Sequence, residues 1–264
     1  MLLRILHAAF SLWSLAAGLA RGAPLDMSQY RLSFADVFAH ADITAHGGPG
    51  GTWIAHTPWN GDFGNDVFDD PGPGSAFSLS PEGLAITAAR DATGKWHGGL
   101  ICSTDRDGPG AHGFAQQYGY FEMTAKLPDG PGVWPAFWLV GTDKHGGSAE
   151  IDVMEFYGNA PYEYHITEHY WVNGRDTLGA WHVVTVPGHL LTTQYNKFGV
   201  AITPQNLVFY FNGREVWRTP APPEYHQPMY LLADLAIGGG WPYDKLTSPR
   251  VMNIRAIRAY TQRQ

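Results

Sequence analysis

Short runs in which apolar and polar residues alternate recur over most of the chain. Such alternation places every second side chain on one face of a strand and is typical of half-buried β-strands. The runs lie at 84–88, 118–127, 133–140, 151–157, 164–172, 181–186, 198–202 and 207–211. No stretch of useful length shows the apolar period of about 3.6 residues that a helix needs. We therefore predict an all-β fold of two antiparallel sheets packed as a sandwich.

The last of these runs continues into a hairpin. Residues 207–211 are followed by Asn212 and Gly213 and then by a further run at 214–218. Asn-Gly tolerates the positive φ angles of a two-residue turn. We therefore predict that the two runs pair as antiparallel strands.

The segment 24–80 has a different texture. It is rich in Gly, Pro, Asp and Asn, and the clusters at 46–51 and 70–74 indicate irregular loops. Neither an internal repeat nor a long low-complexity linker is visible in the 264 residues. Sandwiches of this size often form one domain around one core, so we predict a single folded domain over 24–264.

The N-terminus indicates an exported protein. Arg4 precedes an apolar stretch from 5 to 20, which small residues follow. We predict a signal peptide over 1–23 and a secreted or periplasmic mature protein. A membrane anchor is the weaker alternative, because the stretch contains His7 and is shorter than the roughly 20 residues that span a bilayer. Cys102 is the only cysteine, so the fold must rely on its core rather than on disulfides.

The charge and the aromatic content restrict the classes of partner that the protein is expected to bind. The formal net charge is −7 and the 17 Lys and Arg residues are scattered, which argues against a nucleic acid or an anionic membrane surface. A neutral or weakly charged substrate fits better. Aromatic residues make up 14% of the chain. Most should be core residues, yet flat rings in an open cleft are also suited to stacking against sugars.

Three acidic residues, Glu150, Asp152 and Glu155, crowd one predicted strand. Regular alternation directs Glu150 and Asp152 to one face and Val153 toward the core. Glu155 would then also face the core. One inserted residue, a β-bulge at Val153 or Met154, returns Glu155 to the face of the other two acids, and bulges are frequent beside active sites.

Carboxyl groups that share a cleft suit the hydrolysis of a glycosidic bond with retention of configuration. In that reaction two carboxyls about 5 to 5.5 Å apart flank the bond, so the two Glu side chains must lean together over Asp152. As a hypothesis, Glu150 attacks the anomeric carbon, Asp152 orients it, and Glu155 protonates the leaving oxygen. Crowding raises the pKa of at least one acid. Taken alone, the motif is equally compatible with a solvated acidic face or a Ca²⁺ site.

These residues match the E-x-D-x-x-E signature of glycoside hydrolase family 16, the laminarinase-like enzymes. The chain also resembles the family at 117–128, 132–139, 231–239 and in the closing strand 254–260. The resemblance spans roughly residues 60 to 260. It implies a concanavalin-like β-jelly roll with a concave substrate cleft.

The resemblance also implies roles for individual residues. Glu150 would be the nucleophile, Asp152 its assistant and Glu155 the acid/base, in agreement with the spacing. Trp134 and Trp138 share a face that the resemblance places in the cleft as a sugar platform, with two core tryptophans as the alternative. The other expected substrate-binding residues are His169, Asn65, Trp59 and Trp241.

No metal or other cofactor is expected. Relatives often carry an Asp in the closing strand that helps to bind a structural Ca²⁺, whereas the aligned residue here is Arg255. That difference argues against the ion. We expect a monomer whose partner is a polysaccharide.

Other features of the sequence compete with this interpretation. The string H-x-x-E-H at 165–169 matches inverted zinc peptidases, but its neighbours favour a strand, which would hold the two His residues about 13 Å apart. The same jelly roll serves lectins, although a pair of flanking Glu residues favours an enzyme. A retaining enzyme can also transfer the sugar to a hydroxyl group, as a transglycosylase does.

The expected activity is therefore an endo-acting β-glycosidase. The substrate would be β-1,3 or β-1,3-1,4 glucan or a related exopolysaccharide, cleaved without a catalytic cofactor. The scarcity of basic residues disfavours a heavily sulfated polymer.

Overall fold

The structure, a computed structural model, describes residues 22–48, 50–108 and 110–263. Except for its last two residues, the predicted signal peptide lies outside the described residues. Those two residues lie against the end of a strand, where the carbonyl of Ala23 accepts a hydrogen bond from the backbone N of Glu215 at 3.0 Å. Among the described residues, no helix combines the length and hydropathy that crossing a bilayer requires.

The described residues are almost entirely β-structure, which confirms the predicted fold class. In chain order the strands are β1 (Tyr30–Asp36), β2 (Ile43–Thr44), β3 (Trp53–Ala55), β4 (Asp66–Phe68), β5 (Phe77–Ser80), β6 (Gly83–Arg90), β7 (Trp96–Cys102), β8 (Ala115–Gln116), β9 (Gly119–Lys126), β10 (Val133–Gly141), β11 (Ser148–Glu155), β12 (Glu163–Val172), β13 (Arg175–Asp176), β14 (Ala180–Thr185), β15 (Asn196–Ile202), β16 (Asn206–Phe211), β17 (Arg214–Pro220), β18 (Met229–Ile237) and β19 (Arg250–Gln262). Helical structure consists of α1 (Leu190–Thr193) and single 3-10 turns at Met27–Gln29 and Pro223–Tyr225.

The long strands form two antiparallel sheets. The first sheet has the order β17, β16, β15, β9, β19, and β19 pairs on its other side with β1 and β6. The second, which we call the cleft sheet, has the order β3, β7, β18, β10, β11, β12, β14. Between the sheets lies a continuous apolar core to which nearly all the strands contribute.

The cleft sheet buries side chains on both of its faces. On β10, Phe137 and Leu139 enter the core between the sheets, whereas Trp138 and Val140 belong to a second apolar cluster on the opposite face. Cys102 is fully buried in that second cluster, as expected for a cysteine that packs as a small apolar residue. The face that carries the second cluster is therefore covered by packed apolar side chains rather than by solvated polar ones.

The elements predicted from alternation are present, with one correction. The hairpin turn has φ 50° at Asn212 and 74° at Gly213, as a two-residue turn requires. Residues 165–169 lie within β12, which confirms a strand there and removes the helix that the zinc-peptidase interpretation needs. The segment 24–80 is not only loops, however. It contains β1 to β5, and β1 pairs with β19 along its length.

Candidate active site

A β-bulge in β11 brings the three acidic residues onto one face. Trp138 on β10 pairs with Asp152, but the preceding Phe137 pairs with Met154, so Val153 has no partner in the register. The pairing with β12 skips residues at the same place. Val153 and Met154 are both buried in the core between the sheets. The bulge thus accommodates two successive apolar residues and returns Glu155 to the side of Glu150, as predicted.

The acids line an open cavity of about 480 Å³ on the cleft sheet. Its wall is mainly aromatic and its floor carries the carboxyl groups. The lining residues are Trp59, Phe63, Trp134, Ala136, Trp138, Glu150, Asp152, Glu155, Tyr157, Thr167, His169, Trp171 and Asp234. An aromatic cleft with a few convergent polar groups is the usual form of a site that binds a small molecule or a chain of sugars.

Glu155 is held at one oxygen by two donors. The indole Nε1 of Trp134 donates to Oε1 of Glu155 at 3.0 Å, and the hydroxyl of Tyr157 donates to the same atom at 3.0 Å. Trp134 and Tyr157 also stack on each other with ring centroids 6.1 Å apart. The orientation of Glu155 is therefore fixed, while its second oxygen makes no such bond.

Asp152 is joined through His169 to a further acid. Nε2 of His169 lies 3.1 Å from Oδ2 of Asp152, and Nδ1 lies 2.8 Å from Oδ2 of Asp176. Burial lowers the pKa of His169, but Asp152, Asp176 and the charge of Glu150 outweigh it and raise that pKa to about 9. His169 is thus a cation at neutral pH and donates from both ring nitrogens.

Burial raises the pKa of every member of the acidic trio. Together with the charge of Asp152, it raises the pKa of Glu150 to about 8. Burial and the charge of Glu155 raise the pKa of Asp152 to about 7, against the hydrogen bond from His169. Burial also raises the pKa of Glu155, although its bonds to Trp134 and Tyr157 oppose the shift. The trio therefore shares at least one proton near neutral pH, so that a protonated acid can stand beside a carboxylate.

The same residues fit a metal ion poorly. Glu150, Asp152 and His169 offer ligand atoms within 4.8 Å of one another, and carboxylate oxygens suit a hard cation. A metal-bound imidazole must present a lone pair, whereas both nitrogens of His169 donate to acids and its pKa is raised to about 9. The donor set forms an ion-paired network instead. The predicted absence of a structural calcium ion stays a prediction. Arg255, the residue on which that prediction rests, has its guanidinium 3.8 Å from the ring centre of Tyr195.

Comparison with known proteins places this site within a family. The model of glycosyl hydrolases family 16 matches residues 84–253, which include the whole acidic motif. The chain belongs to this family. Its jelly-roll fold is that of the crystallised laminarinase catalytic domain from Thermotoga maritima, with a TM-score of 0.73 at 20% identity over 89% of this chain and 100% of that one.

Two curated relatives of the chain come from Rhizobium meliloti. Endo-1,3-1,4-β-glycanase EglC is 38% identical over 150 residues, which are 56% of this chain and 31% of the relative. Endo-1,3-1,4-β-glycanase ExsH is 31% identical over 264 residues, which are 90% of this chain and 53% of the relative. The chain thus spans about a third and about half of the lengths of these two relatives.

The structure brings most of the predicted substrate-binding residues of the family 16 domain to the cleft. Trp134 and Trp138 both line it, although Trp138 is only 6% exposed and donates its Nε1 to Asp234 at 2.8 Å. Trp59 is exposed and lies edge-on to Trp138 with ring centroids 6.1 Å apart. Trp134 and Trp138 therefore each hold a carboxyl group in addition to forming part of the cavity wall.

Two other predicted residues lie beside the cavity. Trp241 is exposed and lies against Tyr157, with ring centroids 5.7 Å apart. Asn65 is exposed, outside the cavity lining, and its backbone N donates to the carbonyl of Ile237 at 2.7 Å. Trp241 thus extends the aromatic wall, and Asn65 belongs to a neighbouring loop.

Sequence reasoning missed several residues of the site. Asp234 is fully buried behind Trp138, one of its oxygens has no partner, and burial raises its pKa well above the ordinary value. Asp176 and Tyr157 hold His169 and Glu155. A signal existed only for Asp234, because an acid within the apolar run 229–237 must be buried. Asp176 is an ordinary turn residue in sequence.

Proposed function

We propose that the chain is a secreted or periplasmic endo-acting β-glycosidase that cleaves β-1,3 or β-1,3-1,4 glucan, or a related exopolysaccharide, with retention of configuration. One observation carries the proposal. The bulge at Val153 directs Glu150, Asp152 and Glu155 into one aromatic cleft. Retaining hydrolysis needs a pair of carboxyls on the same cleft, and a lectin does not.

The surroundings of the two glutamates support different roles. Glu150 pairs with His169 across β11 and β12, and an adjacent cation favours the charged form that a nucleophile needs. Glu155 has one oxygen held by Trp134 and Tyr157, so its other oxygen can carry the proton for the leaving group. Asp152 lies between them and is oriented by His169.

The proposed reaction follows from these positions. A carboxylate oxygen of Glu150 attacks the anomeric carbon, the glycosidic bond breaks, and its electron pair takes the proton of Glu155. The product is a glycosyl ester on Glu150 and a shortened chain. Glu155, now a carboxylate, removes a proton from water, which attacks the same carbon and releases Glu150. Two inversions leave the configuration unchanged.

The chemistry of the cleft favours a neutral polymer. Its wall presents the rings of Trp59, Phe63, Trp134 and Trp171, and the cavity lining contains no Lys or Arg among the described residues. The two relatives from Rhizobium meliloti are named endo-1,3-1,4-β-glycanases. Export is proposed from the N-terminal sequence alone.

A panel of polysaccharides tests the substrate. We expect oligosaccharides to be released from β-1,3 or mixed-linkage β-glucan, and proton NMR during the reaction to detect the β-anomer first. Release from a galactan alone would refute the substrate assignment, and initial formation of the α-anomer would refute the retaining mechanism.

Glu150→Gln should reduce kcat by about a thousandfold or more, because a neutral amide cannot form the glycosyl ester. Asp152→Asn should reduce activity without abolishing it. The fold and the binding of substrate should persist in both, measured by circular dichroism and calorimetric titration. Glu82→Gln, on the first sheet, is the matched control. A Glu150→Gln protein with near wild-type turnover would show that another group is the nucleophile.

A further inference from the structure

One large aromatic side chain has no function in the site described above. Trp181 on β14 is 66% exposed, the highest value among the large apolar residues that the structure describes. A tryptophan left in water costs free energy that a protein recovers when a ligand covers the ring. Its neighbour His182 faces the other way and stacks on Trp217, with ring centroids 5.5 Å apart.

The strand register places Trp181 in line with the acidic trio. Leu232, Trp138, Asp152, Thr167 and Trp181 are successive partners across β18, β10, β11, β12 and β14. Directly paired residues of neighbouring strands have side chains on the same face of the sheet. Because Trp138, Asp152 and Thr167 line the cavity, Trp181 lies on the cleft face.

The distance along this row matches the dimensions of a sugar chain. Neighbouring strands are about 4.8 Å apart, so Trp181 lies roughly 10 Å from Asp152, which is about the length of a disaccharide unit. Only Thr167, a small polar residue, separates the two positions in the row. A chain that crosses the strands from the acids therefore reaches the indole of Trp181 without obstruction by a large side chain.

We propose that Trp181 is a stacking platform for a distal sugar residue of the β-linked chain, roughly two residues from the bond that is cleaved. It extends the binding cleft beyond the cavity to the edge of the cleft sheet. The inference rests on the proposed function for its substrate class. It adds a subsite that short oligosaccharides cannot reach.

Chain length distinguishes this subsite from a structural role. Trp181→Ala should lower kcat/KM by about 5- to 10-fold on a heptasaccharide of the preferred β-glucan, the loss of one stacked ring. The same variant should cleave the corresponding disaccharide, which places one sugar residue on each side of the bond, at the wild-type rate. Trp181→Phe should retain most of the heptasaccharide activity. Leu32→Ala removes another exposed apolar side chain, on the first sheet, and should change neither rate.

Equal losses on the disaccharide and the heptasaccharide would overturn the proposal, because they would indicate a general structural effect. Unchanged rates on both would overturn it too, as would a loss of self-association in Trp181→Ala without any change in sugar affinity.

Titration of the Glu150→Gln protein with the heptasaccharide separates this inference from the proposed reaction. Affinity that falls 5- to 10-fold on adding Trp181→Ala would support the subsite even if the wild type proved unable to cleave the sugar. An unchanged affinity would overturn the subsite even if cleavage occurred.

Discussion

His169 connects acids that come from two different parts of the chain. It bonds Asp152 on β11 and Asp176 on β13 at the same time, at 3.1 and 2.8 Å. The hydroxyl of Tyr225 donates to the backbone carbonyls of Glu150 and His169 and so fixes the two strands beneath them. The cation is therefore held rigidly beside the proposed nucleophile, and we regard His169 as a positioning residue.

Replacing His169 by Gln should move the acidic limb of the kcat/KM profile to higher pH. The amide can still donate to Asp152, but the positive charge that lowers the pKa of Glu150 is lost. Glu150 is then protonated, and inactive as a nucleophile, over a wider range of acidic pH. The measurement is kcat/KM against pH for wild type and variant.

His182→Gln is the control for this prediction, because His182 faces away from the cleft and stacks on Trp217. A uniform loss of activity in His169→Gln at every pH would contradict the electrostatic role and indicate misfolding of the site.

At the residue scale, the sequence was sufficient for the acids that lie close together along the chain. One strand carries Glu150, Asp152 and Glu155, and alternation along the strand fixes the face on which each lies. Their shared position could therefore be predicted from the sequence. Asp176 and Asp234 could not be predicted in the same way, because the pairing of β12 with β13 and of β10 with β18 brings them to the site. Their contributions depend on the register of the sheet, which a single sequence does not specify.

The elements that escaped prediction did so for different physical reasons. β18 is buried on both faces along its whole length, so it has no alternation of apolar and polar residues to detect. β7 contains the pair Gly98-Gly99, which weakens any strand signal. β1 exposes most of its residues and is stabilised by its pairing with β19. The half-buried strands and the Asn-Gly hairpin, by contrast, were evident from local pattern.

Gly213→Ala should destabilise the protein by about 1 kcal/mol without changing activity. Gly213 has φ 74° and an added methyl group would meet nothing within 4 Å, so the cost is that of the left-handed backbone conformation. Denaturant unfolding monitored by fluorescence measures it.

Gly72→Ala is the matched control, since Gly72 also has open space but no positive φ. It should be neutral or slightly stabilising. Equal destabilisation by both substitutions would contradict the assignment of the cost to the turn.

Over the whole molecule, buried acids with raised pKa values dominate the charge balance. Burial raises the pKa to about 7 for Asp66 and Glu168, and well above the ordinary value for Asp234. Burial also raises the pKa values of Glu150 and Asp152. The formal net charge of −7 adds repulsion that also weakens on acidification. The folded state therefore holds more protons than the unfolded chain between about pH 4 and pH 7.

We expect the free energy of unfolding to fall as pH rises from about 5 to 8. Each group that keeps its proton only when folded contributes a slope of about −1.4 kcal/mol per pH unit between its unfolded and folded pKa values. His169 acts in the same direction, because its raised pKa makes its stabilisation fade as pH rises toward about 9. Calorimetric melting across this range measures the effect.

Asp234→Asn should make the free energy of unfolding depend less steeply on pH, by the contribution of one titrating group. The amide has no proton to lose, and it can still accept the hydrogen bond from Trp138. A wild-type stability that rises steadily from pH 5 to 8 would show that these acids ionise normally in the folded protein.

The buried position of Cys102 makes the molecule convenient for site-specific labelling. Burial raises the pKa of its thiol to about 12. Almost no thiolate therefore forms at neutral pH, and the thiolate is the form that attacks a maleimide reagent. Since it is the only cysteine, one cysteine introduced on the cleft face would be the sole reactive thiol. A fluorophore attached there would report the arrival of a polymer without any background from the native chain.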